Sequence, residues 1–268
     1  MLRLAAFADE ISPDLDTQIE HCRKNGVTHF ELRGVAGKNV LDFDASLRGE
    51  IQRKLTDAGM GVVSIGSPVG KTKLREPWFD RFKISVDAAE FFAAPFIRIF
   101  SYYEAEREEV MRRMRQKIEY LAGRTPVLIH ENEKDIYGER GANCLDLMRT
   151  INSPKLRFAF DFANFVQAGD NPLDNWPSLK PYTVHIHVKD ALAENGQVVA
   201  AGQGDGRIAE ILKDAYASGY RGFLSLEPHL ANAGQFGGFT GPEQFKVAAD
   251  ALKKLCCENG ISLACDQS

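Results

Sequence analysis

Eight short apolar runs recur along the chain, separated by longer amphipathic, charge-rich segments. The runs are LRLAAFA (2–8), VTHFEL (27–32), GVVSIG (61–66), PFIRIF (95–100), PVLIHE (126–131), LRFAFD (156–161), TVHIHV (183–188) and GFLSLE (222–227). Several are apolar almost without interruption, as expected of strands buried on both faces. Between them, apolar positions recur at helical spacing. This predicts helices over 14–26, Ala45–Ala58, Trp78–Ala93, Glu104–Ala122, Cys144–Ile151, Ile208–Ser218 and Glu243–Asn259, with a looser stretch and a short helix after LRFAFD. Glycines punctuate the helix ends at Asn25-Gly26, Ala58-Gly59, Ser218-Gly219 and Asn259-Gly260.

Eight strand–helix units in 268 residues fit a single-domain α/β fold of the (β/α)8 TIM barrel type over 1–268. A doubly wound open sheet is the competing arrangement. Its nucleotide-binding form has no support, because no GxGxxG follows the first strand. No linker, repeat or low-complexity segment breaks the pattern.

Composition narrows the partners. Lys plus Arg is 33 and Asp plus Glu is 37, a net charge of −4, with no basic excess for nucleic acid. No apolar run approaches membrane-spanning length. The N-terminal MLRLAAFADE turns acidic too soon for a signal peptide and reads as the first strand. The five cysteines, Cys22, Cys144, Cys256, Cys257 and Cys265, include no CxxC and read as reduced thiols of a cytoplasmic protein. A homo-oligomer is compatible with this composition. The glycine-rich stretch 231–245, with Phe236 and Phe239, reads as a lid, an interface or a plain connection.

In a barrel of this kind the site lies at the C-terminal ends of the strands. Those ends carry Asp9 and Glu10, Glu31 and Arg33, Ser64 and Ser67, Tyr102 and Tyr103, then His130 to Glu133, Asp161, His185 to Asp190, and Glu227 with His229. Glu131, Asp161, His187 and Glu227 come from strands five to eight. Three carboxylates in one pocket repel and raise one another's pKa unless a cation neutralises them. With one imidazole they suit a single divalent ion: Mn²⁺, Mg²⁺, Co²⁺ or Zn²⁺. His185 shares a strand face with His187. Lys189 lies on that face too, either as a charge stabiliser or paired with Asp190 or a neighbouring carboxylate. Glu133 follows Glu131 in the same polar block. Arg33, Lys71, Lys73 and Arg75 could hold an anionic group. Trp78, Tyr102, Tyr103 and Phe165 could wall a sugar, although each alone is more often packing.

These segments carry a resemblance. IHENEKDIYG, FAFDFANF, VHIHVKD and LSLEPHL, in that order and spacing, resemble the sugar phosphate isomerase/epimerase family of xylose isomerase-like TIM barrels. The resemblance covers essentially the whole chain. It implies metal ligation by Glu131, Asp161, His187 and Glu227, and acid/base roles for Glu131 and Glu227 on opposite faces of the substrate. It also implies that AGQGDG (201–206) reaches the site, making Gln203 and Asp205 substrate-contact candidates; the plain alternative is a turn. The ketose 3-epimerases of this family place a histidine where Asn164 stands, and an arginine shortly after the strand-seven histidine, where VKDALAEN has none. The ENEKDIYG and HVKDA wording resembles the inosose-type and uncharacterised branches more closely.

The implied chemistry is proton abstraction beside a metal-held carbonyl, through an enediolate. The expected function is isomerisation or epimerisation of a small keto sugar or polyol-derived ketose. The alternative on the same site is a lyase of inosose-dehydratase type. An endonuclease-IV-like barrel would need a histidine-rich site and a basic face, against six histidines and net charge −4. A non-catalytic sugar-binding barrel would not need the four-ligand set.

Overall fold

A computed structural model describes residues 1–74, 78–230 and 240–264. Eight parallel strands close into a barrel: β1 (Arg3–Ala6), β2 (His29–Leu32), β3 (Gly61–Ile65), β4 (Phe96–Ile99), β5 (Val127–Glu131), β6 (Leu156–Asp161), β7 (Thr183–Val188) and β8 (Phe223–Leu226). Each pairs with its neighbours in sequence, and β8 pairs with β1. The helices are α1 (Leu15–Lys24), α2 (Ala45–Asp57), α3 (Phe79–Phe91), α4 (Arg107–Tyr120), α5 (Gly141–Ile151), α6 (Phe162–Gln167), α7 (Pro172–Leu179), α8 (Ile208–Ala217) and α9 (Gly241–Glu258). The barrel expectation therefore holds.

Local chemistry explains the helix starts. Asp14 caps α1 by accepting from the Thr17 N–H at 2.8 Å, and Asp44 caps α2 by accepting from the Leu47 N–H at 2.9 Å. Asp161 ends β6 and also caps α6: its Oδ1 accepts from the Asn164 N–H at 2.7 Å. One side chain thus closes a strand, opens a helix and keeps Oδ2 for the barrel mouth. The stretch after β6, read as loose with one short helix, forms two helices, α6 and α7.

Two irregularities aim polar residues. The β2–β3 register slips between Phe30 and Glu31, and the β6–β7 register slips between Phe158 and Ala159. Such bulges bend a strand and redirect the side chains beyond them. After the slips, Asp161 lies opposite His187, and His187 lies opposite Ser225 on β8.

The main core lies between barrel and helices. Leu4, Leu32, Ile97, Leu128, Phe158, Phe160 and Ile186 on the strands meet Ile19, Leu55, Phe82, Met114, Leu147, Leu212 and Leu252 on the helices, all nearly or fully buried. Phe165 belongs to this core, 5.1 Å from the Phe160 ring. Cys22, Cys144 and Cys256 are buried free thiols, and Cys257 is an exposed one. No described helix is long and apolar enough to cross a membrane. Arg75, Cys265, Phe236 and Phe239 lie outside the described residues.

Candidate active site

Ligand atoms of Glu131, Asp161, His187 and Glu227 all lie within 4.8 Å of one another, and all four residues are buried. His187 Nδ1 is 3.0 Å from Glu131 Oε1 and 3.9 Å from Glu227 Oε2. Lys189 Nζ sits between Asp161 Oδ2 at 3.2 Å and Glu227 Oε2 at 3.3 Å. Among the described residues, neither His187 Nδ1 nor Asp161 Oδ2 has a partner with hydrogen-bond geometry, despite those short charge contacts. Buried polar atoms are seldom left so. A nitrogen lone pair and a carboxylate oxygen facing one point, with two further carboxylates, fit a divalent cation.

Two other groups of potential ligands lie nearby. Glu31, His185 and His187 are already hydrogen-bonded: Glu31 Oε2 is 2.8 Å from His185 Nε2, 3.0 Å from His187 Nε2 and accepts from Ser225 Oγ at 2.9 Å. Glu10, Glu227 and His229 share their space with Arg33, whose Nη2 is 3.7 Å from Glu10 Oε1 and whose Nη1 donates to Glu227 Oε1 at 3.3 Å. A guanidinium there disfavours a cation.

The electrostatics follow from burial opposed by close partners. Burial pushes Asp161 up to about 7, with Lys189 opposing and Glu131 and Glu227 adding to the rise. Burial also acts to raise Glu227, but Lys189, His229, His187 and Arg98 outweigh it and hold Glu227 well below the usual carboxylate range. Glu131 is lowered because His187 and Arg98 overcome its burial. His187 is raised well above its ordinary value: burial disfavours its charge, but Glu31 and Glu131 favour it more.

The structure brings most sequence candidates to the mouth. Lys189 and Glu133 border a cavity of about 340 Å³, together with Arg33, Lys71 and, of the four candidate ligands, Glu227. Glu133 pairs with Lys71 at 2.6 Å. Asn164 Nδ2 donates to Glu131 Oε1 at 3.3 Å and to the Asn132 carbonyl at 2.9 Å, so it steadies Glu131. His185 lies deeper, fully buried against Glu31.

Other candidates lie elsewhere. Gln203 and Asp205 are exposed, and Asp205 accepts from the Ala193 N–H at 2.7 Å. Lys73 pairs with Glu104 at 2.9 Å on the surface. Trp78 and Tyr102 face Lys117 and Arg113 of α4. Tyr103 is half-buried and bridges to Lys73 and Ile136.

Sequence reasoning missed Arg98. It lies on β4, 5% exposed, with Nη1 donating to Glu131 Oε2 at 3.2 Å and lying 3.6 Å from Glu227 Oε1. The available signal was an arginine inside the apolar PFIRIF. Ser225 within GFLSLE is a similar case, and Glu31 stands at the end of strand two, where the sequence assigns it no role.

The model of the family described as xylose isomerase-like TIM barrel matches residues 19–256. The chain belongs to that family. A 3-dehydroshikimate dehydratase from Bacillus anthracis is 26% identical over 113 residues, 42% of this chain and 38% of the relative. The matched part thus spans well under half of that relative's length. A D-tagatose 3-epimerase-like protein superposes with a TM-score of 0.75 at 13% identity, covering 97% of this chain and 98% of that one. A xylose isomerase-like TIM barrel protein from Mycobacterium smegmatis, solved in complex with magnesium, gives 0.71 at 14% identity, covering 96% and 97%. These structural likenesses establish the barrel. The family's members thus include both a dehydratase and epimerase-like proteins.

Proposed function

We propose that the protein is a divalent-metal-dependent isomerase or epimerase of a small keto sugar or polyol-derived ketose. The observation that carries this reading is the convergence of Glu131, Asp161, His187 and Glu227, with His187 Nδ1 and Asp161 Oδ2 lacking a hydrogen-bond partner among the described residues, and with Glu227 lining a cavity of about 340 Å³. When bound, a divalent ion supplies Lewis acidity toward a carbonyl and its neighbouring hydroxyl. The chain's own residues handle the proton. Glu131 and Glu227 reach the mouth from β5 and β8, so one removes a C–H proton and the other returns one. Lys189 places an ammonium between Asp161 and Glu227, where it stabilises negative charge developing on an enediolate oxygen. Asn164 holds Glu131 in place.

A lyase reading has its own support. Glu227 Oε1 lies 3.3 Å from Arg33, 3.6 Å from Arg98 and 3.6 Å from His229, while Oε2 lies 3.3 Å from Lys189. A carboxylate so surrounded is a weak base. Glu131 alone removes the C–H proton and returns it to the departing β-hydroxyl, which leaves as water; this suffices for dehydration, the reaction named for the dehydratase relative.

Incubation of the metal-loaded protein in D₂O with keto sugars, inososes and 3-dehydroshikimate separates the two. Deuterium at an epimerised or isomerised carbon marks the first reading, and a conjugated product with new ultraviolet absorption marks the second. Glu131→Gln is expected to lower turnover by about 10²–10⁴-fold in either case. In a variant that still holds its metal, Glu227→Gln does so only if Glu227 transfers a proton. Undiminished turnover in both variants would remove the acid/base assignment.

A further inference from the structure

We infer that the substrate carries a carboxylate, received at the floor of the cavity by Arg33 and Arg98. The inference rests on the enediolate reading for the fate of that substrate, but its own support is separate. Both side chains are 5% exposed and both border the cavity. Each guanidinium lies 4.7 Å from the centroid of the Phe7 ring, so one ring fixes two cations. Gly66 leaves room for this packing: a Cβ there would stand 2.9 Å from the Phe7 ring and 3.0 Å from Arg33 Cβ.

Arg33 Nη1 donates to Glu227 at 3.3 Å and Nε to Asp9 at 2.7 Å, while Arg98 Nη1 donates to Glu131 at 3.2 Å and Nη2 to the Gly66 carbonyl at 3.3 Å. Among the described residues each still keeps a buried nitrogen without a hydrogen-bond partner: Arg33 Nη2, which lies 3.7 Å from Glu10 Oε1, and Arg98 Nε. A buried, unsatisfied donor on a cation is costly, and an incoming acceptor relieves it. A carboxylate offers two acceptor-only oxygens and a matching charge, whereas a neutral polyol offers hydroxyls and none.

The rim agrees in sign. Lys71 and Arg81 border the same cavity, already paired with Glu133 at 2.6 Å and Asp42 at 2.5 Å. They attract an anion, and the buried pair selects it. A volume of about 340 Å³ is at the small end for ligand sites and suits one ring with its carboxylate.

The test is calorimetric binding to the metal-loaded full chain, using quinate, myo-inositol and inorganic phosphate as probes. Quinate is expected to bind at least about tenfold tighter than the neutral ring polyol. Arg98→Gln should weaken quinate by about tenfold to a hundredfold and myo-inositol by a smaller factor, with Arg98→Lys intermediate. Thermal melts and metal content identify variants that fold. Arg33→Lys provides a second variant, because it keeps the charge beside Asp9. Equal binding of quinate and myo-inositol, or a folded Arg98→Gln protein with undiminished quinate affinity, overturns the inference. Phosphate binding tighter than quinate overturns the carboxylate assignment. Carboxylate selectivity without solvent-deuterium exchange into any keto acid upholds the subsite and ends the enediolate reading. Exchange with neutral keto sugars, without carboxylate selectivity, does the reverse.

Discussion

Glu31 Oε2 lies 3.0 Å from His187 Nε2, on the side of the imidazole opposite the candidate metal ligands. The carboxylate fixes a proton on Nε2 and turns Nδ1 toward Glu131 and Glu227. Carboxylate–histidine pairs of this kind orient ligands and typically govern about 10–100-fold in metal affinity. Glu31→Gln is therefore expected to weaken Mn²⁺ binding by that factor while the fold persists, as read by equilibrium dialysis and a thermal melt. Unchanged affinity would mean that Glu31 does not orient His187 for a metal.

The part of this site that was readable in the sequence was the part at strand ends. Glu131 and Asp161 each terminate an apolar run, where a charge needs a reason. Arg98 escaped, and Glu31 stood at its strand end without a role, because a charged residue inside an apolar run does not reveal which face it takes. For Glu31 the face follows a register slip between Phe30 and Glu31 that leaves no sequence mark. Trp78 and Tyr102 look like a sugar wall on composition. The chain instead takes a left-handed turn at Tyr102, φ 68°, and both rings pack on Lys117. Helix boundaries were legible where a cap stands, as at Asp44. The start of α4 was not, because Glu104 adopts φ 50° and the helix waits until Arg107.

Metal binding should depend on pH in a defined direction. Asp161 is pushed up to about 7 by burial, and His187 is raised as well. The ion-free fold therefore holds protons that a cation must displace. Affinity is expected to rise by about tenfold per pH unit for each displaced proton, up to about pH 7 for Asp161. Between about pH 4 and 7 for Asp161, and above about pH 6.5 for His187, the folded chain binds more protons than the unfolded one, so each removes stability from the ion-free protein as pH rises through its window. Mn²⁺ titrations at about pH 6, 7 and 8 check the first statement. A pH-independent dissociation constant would contradict it.

The AGQGDG loop owes its shape to Asp190. Its carboxylate accepts the N–H groups of Ala191 at 2.9 Å, Gly202 at 2.9 Å, Gly204 at 3.0 Å and Gly206 at 2.9 Å. A Cβ at Gly204 would stand 2.5 Å from Asp190 Oδ1, which explains why glycine is required there. Asp190→Ala strands four donors and is expected to cost about 2–4 kcal/mol, with cleavage by proteases appearing near 200–206. Asp190→Asn keeps one acceptor oxygen and should lose less. Denaturant melts and limited proteolysis measure both. A loss below about 0.5 kcal/mol in Asp190→Ala would show that the loop finds other partners.

Outside the barrel, Lys117 is fully buried, with Nζ donating to Tyr102 Oη at 2.6 Å. The Trp78 and Tyr102 rings lie 4.6 and 4.7 Å from Nζ and favour its cation. Burial first, and the positive charge of Arg113 second, oppose them and hold Lys117 well below the usual lysine range. In the unfolded chain this amine binds its proton up to about pH 10.4. Over the interval between the two values the unfolded state carries the extra proton. Stability from this residue therefore grows as pH rises, by up to about 1.4 kcal/mol per unit. Lys117→Met removes that slope while roughly keeping the volume. Guanidinium melts of both proteins at about pH 7 and 9 should show wild type gaining on the variant at the higher pH. A difference that stays constant between the two pH values would show that Lys117 keeps its proton in the fold, held by the two rings and the tyrosine oxygen.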